Sequence, residues 1–263
     1  MLAVLALYLA VGAFAGVLAG LLGVGGGVVI VPVLEFSFSW LALPGEHLMQ
    51  LAVGTSLATI VTTSLSSIRA HHRRRAVLWP VVLRMTPGIL LGAVLGVLLA
   101  DRISSDELRA VFGLFLLLVA AHTLFGRPPK AHSELPGGGG LLAAGGLIGG
   151  FSALVGIGGG ALTVPFLAWC NTQMKNAVAT SAACGLPIAL AGSLGFVLAG
   201  LDETDLPAWS TGYLYWPGFL GIAAASALFA PLGAKLAHSL PTATLKRVFA
   251  ALLLLVGARM LIG

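Results

Sequence analysis

Charge is what this sequence has least of. Only 9% of its 263 residues are Asp, Glu, Lys or Arg, 58% are hydrophobic, and the mean hydropathy is +1.03. A soluble domain is about a quarter charged, so this chain cannot clothe a folded surface for water, and lipid must be its main solvent. Cysteine is scarce as well. Cys170 and Cys184 each lie in apolar context without metal-ligand spacing and say little about redox compartment. The apolar–polar alternation over ten-residue segments that marks a membrane β-barrel is missing. So is the basic n-region of a cleaved signal peptide, and MLAVLALYLAVGAFAG is expected to stay as a membrane segment. The net charge of +5 sits in short loops between apolar runs, where it encodes orientation rather than nucleic-acid binding.

What is present is a series of unbroken apolar runs at 2–22, 48–68, 79–100, 110–125, 176–200, 213–234 and 247–262. About twenty apolar residues cross a hydrocarbon core of ~30 Å as a helix, so the expected class is an all-α polytopic membrane protein. The chain also repeats itself. GVGGGVVIVPVL at 23–34 recurs as GIGGGALTVPFL at 156–167, and AVGTSLA at 52–58 as AVATSAA at 177–183. Trp79-Pro80 recurs as Trp216-Pro217, and LRAVFGLFLLLVAAHTL at 108–124 as LKRVFAALLLLVGARML at 245–261. Four matches in one order divide the chain into repeat 1 (1–125), a polar cytoplasmic linker (126–138) and repeat 2 (139–263).

Charge decides how the halves are oriented. If each glycine segment crossed the membrane once, the halves would be parallel and the loop cations would divide six against six. If the glycine segments turn the chain back, as re-entrant hairpins or as two spans, the halves are inverted. One face then holds Arg69, Arg73, Arg74, Arg75, Arg127, Lys130, Lys175, Lys235, Lys246 and Arg247, and the other only Arg102 and Arg109. Ten against two is the bias of a cytoplasmic face. The expectation is therefore two inverted-topology repeats, each a glycine-broken or re-entrant helix pair plus three transmembrane helices, with both termini extracytoplasmic. Inverted repeats are a common architecture of secondary transporters.

The glycine motifs are the leading candidates for a site. Each glycine disfavours a helix by about 1 kcal/mol relative to alanine, so Gly23, Gly25, Gly26, Gly27 and their counterparts Gly156, Gly158, Gly159, Gly160 should break one. Pro32 and Pro165 follow, and proline favours a helix's first turn, so a new helix is expected to start near each. Unwound backbone at membrane depth must be buried or line a wet cavity, and amides at a helix N-terminus bind anions. Close helix packing through small residues is the structural alternative. Thr55-Ser56 and Thr180-Ser181, on the segment after each break, offer hydroxyl donors to an oxyanion without a competing charge. Three residues are secondary candidates: Arg84 as a counter-charge or a snorkelling side chain, Glu35 for proton coupling, and Cys184, close to one turn beyond Ser181. No catalytic set or metal-ligand cluster emerges, and neither a metal nor a cofactor is expected.

The doubled GxGGGxxxxP plus AVxTS pattern, over essentially the full chain, resembles the TauE/SafE family of membrane permeases, also called the toluene sulfonate uptake permease (TSUP) family. The resemblance implies a transporter, often an exporter, of sulfite, sulfoacetate or a related small anion. Its motif residues fall here on Gly23, Gly25, Gly26, Gly27, Pro32, Thr55 and Ser56, and on Gly156, Gly158, Gly159, Gly160, Pro165, Thr180 and Ser181. The expected mechanism is alternating access around an oxyanion held between the repeats, in a bacterial-type inner membrane. A passive anion channel using the same dipoles is the alternative; a membrane-embedded enzyme would need core His, Asp, Glu or Cys groups that the sequence does not supply. The expected partners are a small anion such as sulfite or a sulfonate and the lipid bilayer, and not nucleic acid; a homo-oligomer is compatible with the sequence.

Overall fold

The computed structural model describes residues 2–22, 26–125, 134–236 and 242–262. The chain is all-helical, with ten helices among the described residues. The first five are α1 (Leu2–Leu22), α2 (Gly27–Trp40), α3 (Leu48–Arg73), α4 (Trp79–Arg102) and α5 (Ser105–Phe125). They are followed by α6 (Gly138–Leu154), α7 (Gly160–Trp169), α8 (Met174–Ala199), α9 (Trp216–Leu236) and α10 (Thr242–Ile262). Six of these, α1, α3, α4, α5, α8 and α9, are each long and apolar enough to cross a membrane. This is a multi-pass membrane protein. At 1.5 Å per residue, α2 and α7, with 14 and 10 residues, reach only about 21 and 15 Å, short of the hydrocarbon core.

Helix α6 falls outside the apolar runs read from the sequence, because GGGLLAAGGLIGGFSAL is dense in a residue that disfavours helices in water. In lipid the backbone must satisfy itself, which leaves helix as the state available to such a segment. Its glycines then serve packing. A Cβ at Gly88, Gly92 or Gly96 of α4 would overlap the backbone of Leu142, Gly146 and Gly150 of α6, in that order. The two helices therefore run parallel at close approach, as small-residue contacts allow. α1 meets α9 in the same way: Gly12 lies on Ile222, Gly16 on Ser226, and Gly233 on Val17 and Leu21. The other principal pairings are α3 with α8 and α9, α4 with α8, and α5 with α10. Leu83, Leu91, Leu95, Leu118, Leu147, Leu194 and Leu228 are exposed on the outside, as lipid-facing leucines are, and all five tryptophans are exposed in part or in full.

The two ends of the bundle differ in charge. At one end the start of α3, the end of α4 and the start of α5 are tied together: Gln50 Nε2 donates to the carbonyls of Ala100 (3.3 Å) and Ile103 (2.8 Å), and Ser105 Oγ to that of Glu46 (2.6 Å). Ser104 and Glu107 form a reciprocal cap on α5, at 2.8 and 3.2 Å. The loop 200–215 joins this end through His47 and Glu203, 3.8 Å apart. Every acidic residue except Glu134 belongs to these segments or to α2 beside them. The opposite end carries the α3–α4 turn, where Trp79 Nε1 donates to His72 Nδ1 (3.1 Å), and the α7–α8 turn, with Arg73, Arg74, Arg75 and Lys175. Arg127 and Lys130 of the linker lie outside the described residues.

Candidate functional site

Helices α2 and α7 begin alike. Their N-cap residues, Gly26 and Gly159, have φ of 80° and 76°, a left-handed conformation open to glycine without a Cβ penalty. Gly26 O accepts the N–H groups of Val29 (3.0 Å) and Ile30 (3.1 Å), and Gly159 O those of Leu162 (3.1 Å) and Thr163 (2.7 Å). Each helix therefore starts directly after its cap, at Gly27 and Gly160. This corrects the expectation of new helices starting near the prolines: Pro32 and Pro165 are each the sixth residue of their helix. There the ring removes a helical N–H, so the Val28 and Ala161 carbonyls lose their usual helical donor. Gly25, with residues 23–24, lies outside the described residues.

The start of α2 meets the second break in the core. Gly27 rests against the Gly156 carbonyl and the Ile157 Cα, leaving no room for a Cβ. Ser56 Oγ on α3 donates to the same Gly156 carbonyl (2.9 Å), so the third helix of one half holds the break of the other. Gly158, Gly159 and Gly160 are buried. The position of a Cβ on Gly185 of α8 lies 2.8 Å from the Gly158 carbonyl and 3.3 Å from Ser64 Oγ. Beside Gly159 stand Thr163 Oγ1 and Ser152 Oγ, 3.5 and 3.6 Å from where its Cβ would be. Thr163 is fully buried and its Oγ1 has no hydrogen-bond partner. It occupies the position of Ile30 in the first half, so a search for recurring residues passes over it.

Thr55 and Thr180 have matching roles that their sequence position did not announce. Thr55 Oγ1 accepts the Tyr215 N–H (2.9 Å) at the start of α9. Thr180 Oγ1 accepts the Leu78 N–H (3.0 Å) at the start of α4. Each hydroxyl thus joins the third helix of one half to the fourth helix of the other. Burial pushes the Tyr215 phenol above its usual range, and that of Tyr213 as well, where Asp101 and Glu203 add to the effect. Both stay neutral at physiological pH and bring no negative charge to Thr55. Ser181 is fully buried beside Thr180. Along α3 the buried hydroxyls continue through Thr59, Thr63, Ser64 and Ser67 toward the basic end, with Thr63 Oγ1 2.8 Å from Ser226 Oγ on α9. The sequence reading singled out only the first two residues of this stripe.

The secondary candidates separate. Arg84 is exposed on α4 and is not brought to the breaks. Cys184 is fully buried on α8 next to Gly185, at the edge of the core site. Glu35 leaves the site: its Oε1 pairs with Arg109 Nη2 at 2.9 Å, tying α2 to α5 near the acidic end.

A family model described as Sulfite exporter TauE/SafE matches residues 8–260. A "Probable membrane transporter protein" of Haemophilus influenzae is 36% identical over 259 residues, covering 97% of either chain. "Probable membrane transporter protein MJ0441" of Methanocaldococcus jannaschii is 29% identical over 99% of this chain and 97% of its own length. "Probable membrane transporter protein YunE" of Bacillus subtilis is 27% identical over 95% of this chain and 94% of its own length. No solved structure matches.

Proposed function

We propose that this chain, which belongs to the sulfite exporter TauE/SafE family, is a secondary transporter that exports a small oxyanion, sulfite or an organosulfonate, by alternating access between two inverted halves. The observation that carries this reading is the meeting of the glycine-capped start of α2 with the break that precedes the glycine-capped start of α7, with the unpartnered hydroxyl of Thr163 one turn into α7. First-turn amides and the positive end of the helix dipole attract an anion. The Thr163 hydroxyl supplies a neutral donor, so the anion is held without a fixed cation that would slow its release. Gly26, Gly27 and Pro32 in one half, and Gly158, Gly159, Gly160 and Pro165 in the other, shape the cradle. Ser56, Thr55, Thr180 and Ser181 frame it, with Cys184 at its edge.

The inverted arrangement is supported by the helix pairings. The first helix of each half packs parallel to the fourth of the other, and third pairs with third and fifth with fifth, as an exchange of the halves about a twofold axis in the membrane plane requires. The contrast between an acidic and a basic end supports a cytoplasmic basic end with both termini outside. Rocking of one half on the other would open the breaks to each end in turn. The test is flux of sulfite and a panel of sulfonates into vesicles carrying the purified chain, with and without a pH gradient. Saturable uptake of at least one member supports the reading; a panel that stays outside refutes it.

A further inference from the structure

At the basic end lies a second feature that the core site does not use. The α3–α4 turn, the segment before α6 and the α7–α8 turn border an open cavity of about 770 Å³, lined among others by Arg74, Arg75, Lys175, Leu78 and Asn176, with Glu134 as the one acidic group in its lining. We propose that this cavity is a loading site where a small oxyanion is collected before it passes to the helix breaks. It rests on the transport reading above and adds the point at which the substrate is first held.

Three observations carry it. The first is the charge: three cations face one carboxylate, while the other eight of the nine acidic residues lie toward the opposite end. The second is how the wall is built. α3 closes with paired bonds from Arg75 N–H to the His72 carbonyl (2.9 Å) and from Ala76 N–H to the His71 carbonyl (3.3 Å). That turn puts Arg75 at φ 53°, a conformation glycine adopts without strain and the usual place for glycine after a helix. The closure is the one that also ends α2 at Ala42 and α7 at Asn171, and here it fixes a cation on the cavity rim. The third is continuity. Lys175 and Asn176 form the first turn of α8, whose dipole adds to the attraction. Leu78 lines the cavity and donates its N–H to Thr180 (3.0 Å), next to Ser181, which stands one turn before Gly185 and the Gly158 carbonyl it approaches.

Arg75→Gly removes the charge and relieves the backbone, so it separates function from folding; Lys175→Gln is the second variant. In vesicles of uniform orientation, with sulfite offered from the basic end, each variant should raise KM roughly three- to tenfold, with the deficit closing at saturating sulfite. Added salt should raise KM in the native chain and less in the variants. Arg102→Gln, at the other end, should leave flux unchanged. An unchanged KM in both cavity variants, or an equal rise from both ends, overturns the proposal. Calorimetric binding of sulfite in phosphatidylcholine nanodiscs tests the cavity independently of flux, so a failed transport assay does not decide it. Binding that weakens in Arg75→Gly supports the cavity. Sulfite binding abolished by adding phosphatidylglycerol assigns it to a lipid headgroup instead and overturns the proposal.

Discussion

Thr55→Val should destabilise the folded chain by about 1–3 kcal/mol, although the two side chains have nearly the same volume. Thr55 is fully buried, and its Oγ1 is the acceptor for the Tyr215 N–H at 2.9 Å. Valine replaces that oxygen with a methyl group and leaves a buried amide unpaired, which costs about 1–3 kcal/mol. Thr55→Ser keeps the acceptor and loses one methyl, worth roughly 0.8 kcal/mol if fully buried. The expected order of stability is therefore native, then serine, then valine. Because the lost bond anchors the start of α9, amide exchange at Tyr215 should quicken in the valine variant and stay near native in the serine variant. Reversible unfolding in detergent gives the free energies, and hydrogen exchange by mass spectrometry locates the opening. A valine variant as stable as the native chain, with Tyr215 exchange unaltered, would refute the view that this hydroxyl ties the halves together.

Three further outcomes follow from the same geometry. Thr163→Val removes a buried hydroxyl with no partner, so stability should hold or rise by up to about 1 kcal/mol while sulfite affinity in purified protein falls; lost stability with unchanged affinity would contradict the assignment. Gly159→Ala puts a Cβ on a left-handed residue 2.5 Å from Ile188 Cδ1 and should cost roughly 2–4 kcal/mol from strain and overpacking, read by the same unfolding assay. Gly92→Leu should force α4 from α6 and reduce folded yield, since Gly146 leaves no space there; size-exclusion profiles in detergent report it.

The apolar runs and the recurring motifs were legible because both act through pattern. Lipid demands long helices, and the four matched segments announce two halves of one design. The repeat called for a helix before the second break, but the extent of α6 was not legible, because a glycine-rich segment reads as a loop under rules calibrated in water. The breaks themselves were anticipated, but their limits were not. A left-handed glycine cap lets α2 start five residues before Pro32, and a preference of proline for first turns cannot reveal that. Thr55 and Thr180 stood out by recurrence, yet their partners lie 160 and 102 residues away and depend on how the halves interlock. Thr163 escaped for the converse reason: it belongs to one half only, while repeat comparison selects what the halves share. The basic cavity escaped because it exists only where turns of the two halves come together.

In the proposed transport cycle a small oxyanion is carried between two alternately exposed states rather than conducted through an open pore. Counterflow tests it most directly: vesicles preloaded with unlabelled sulfite are diluted into a trace of labelled sulfite. Label should accumulate transiently above its equilibrium level, and less so in Thr163→Val. Label that only equilibrates, with no stimulation from the opposite side, would contradict alternating access, and label that never enters would contradict sulfite as the cargo.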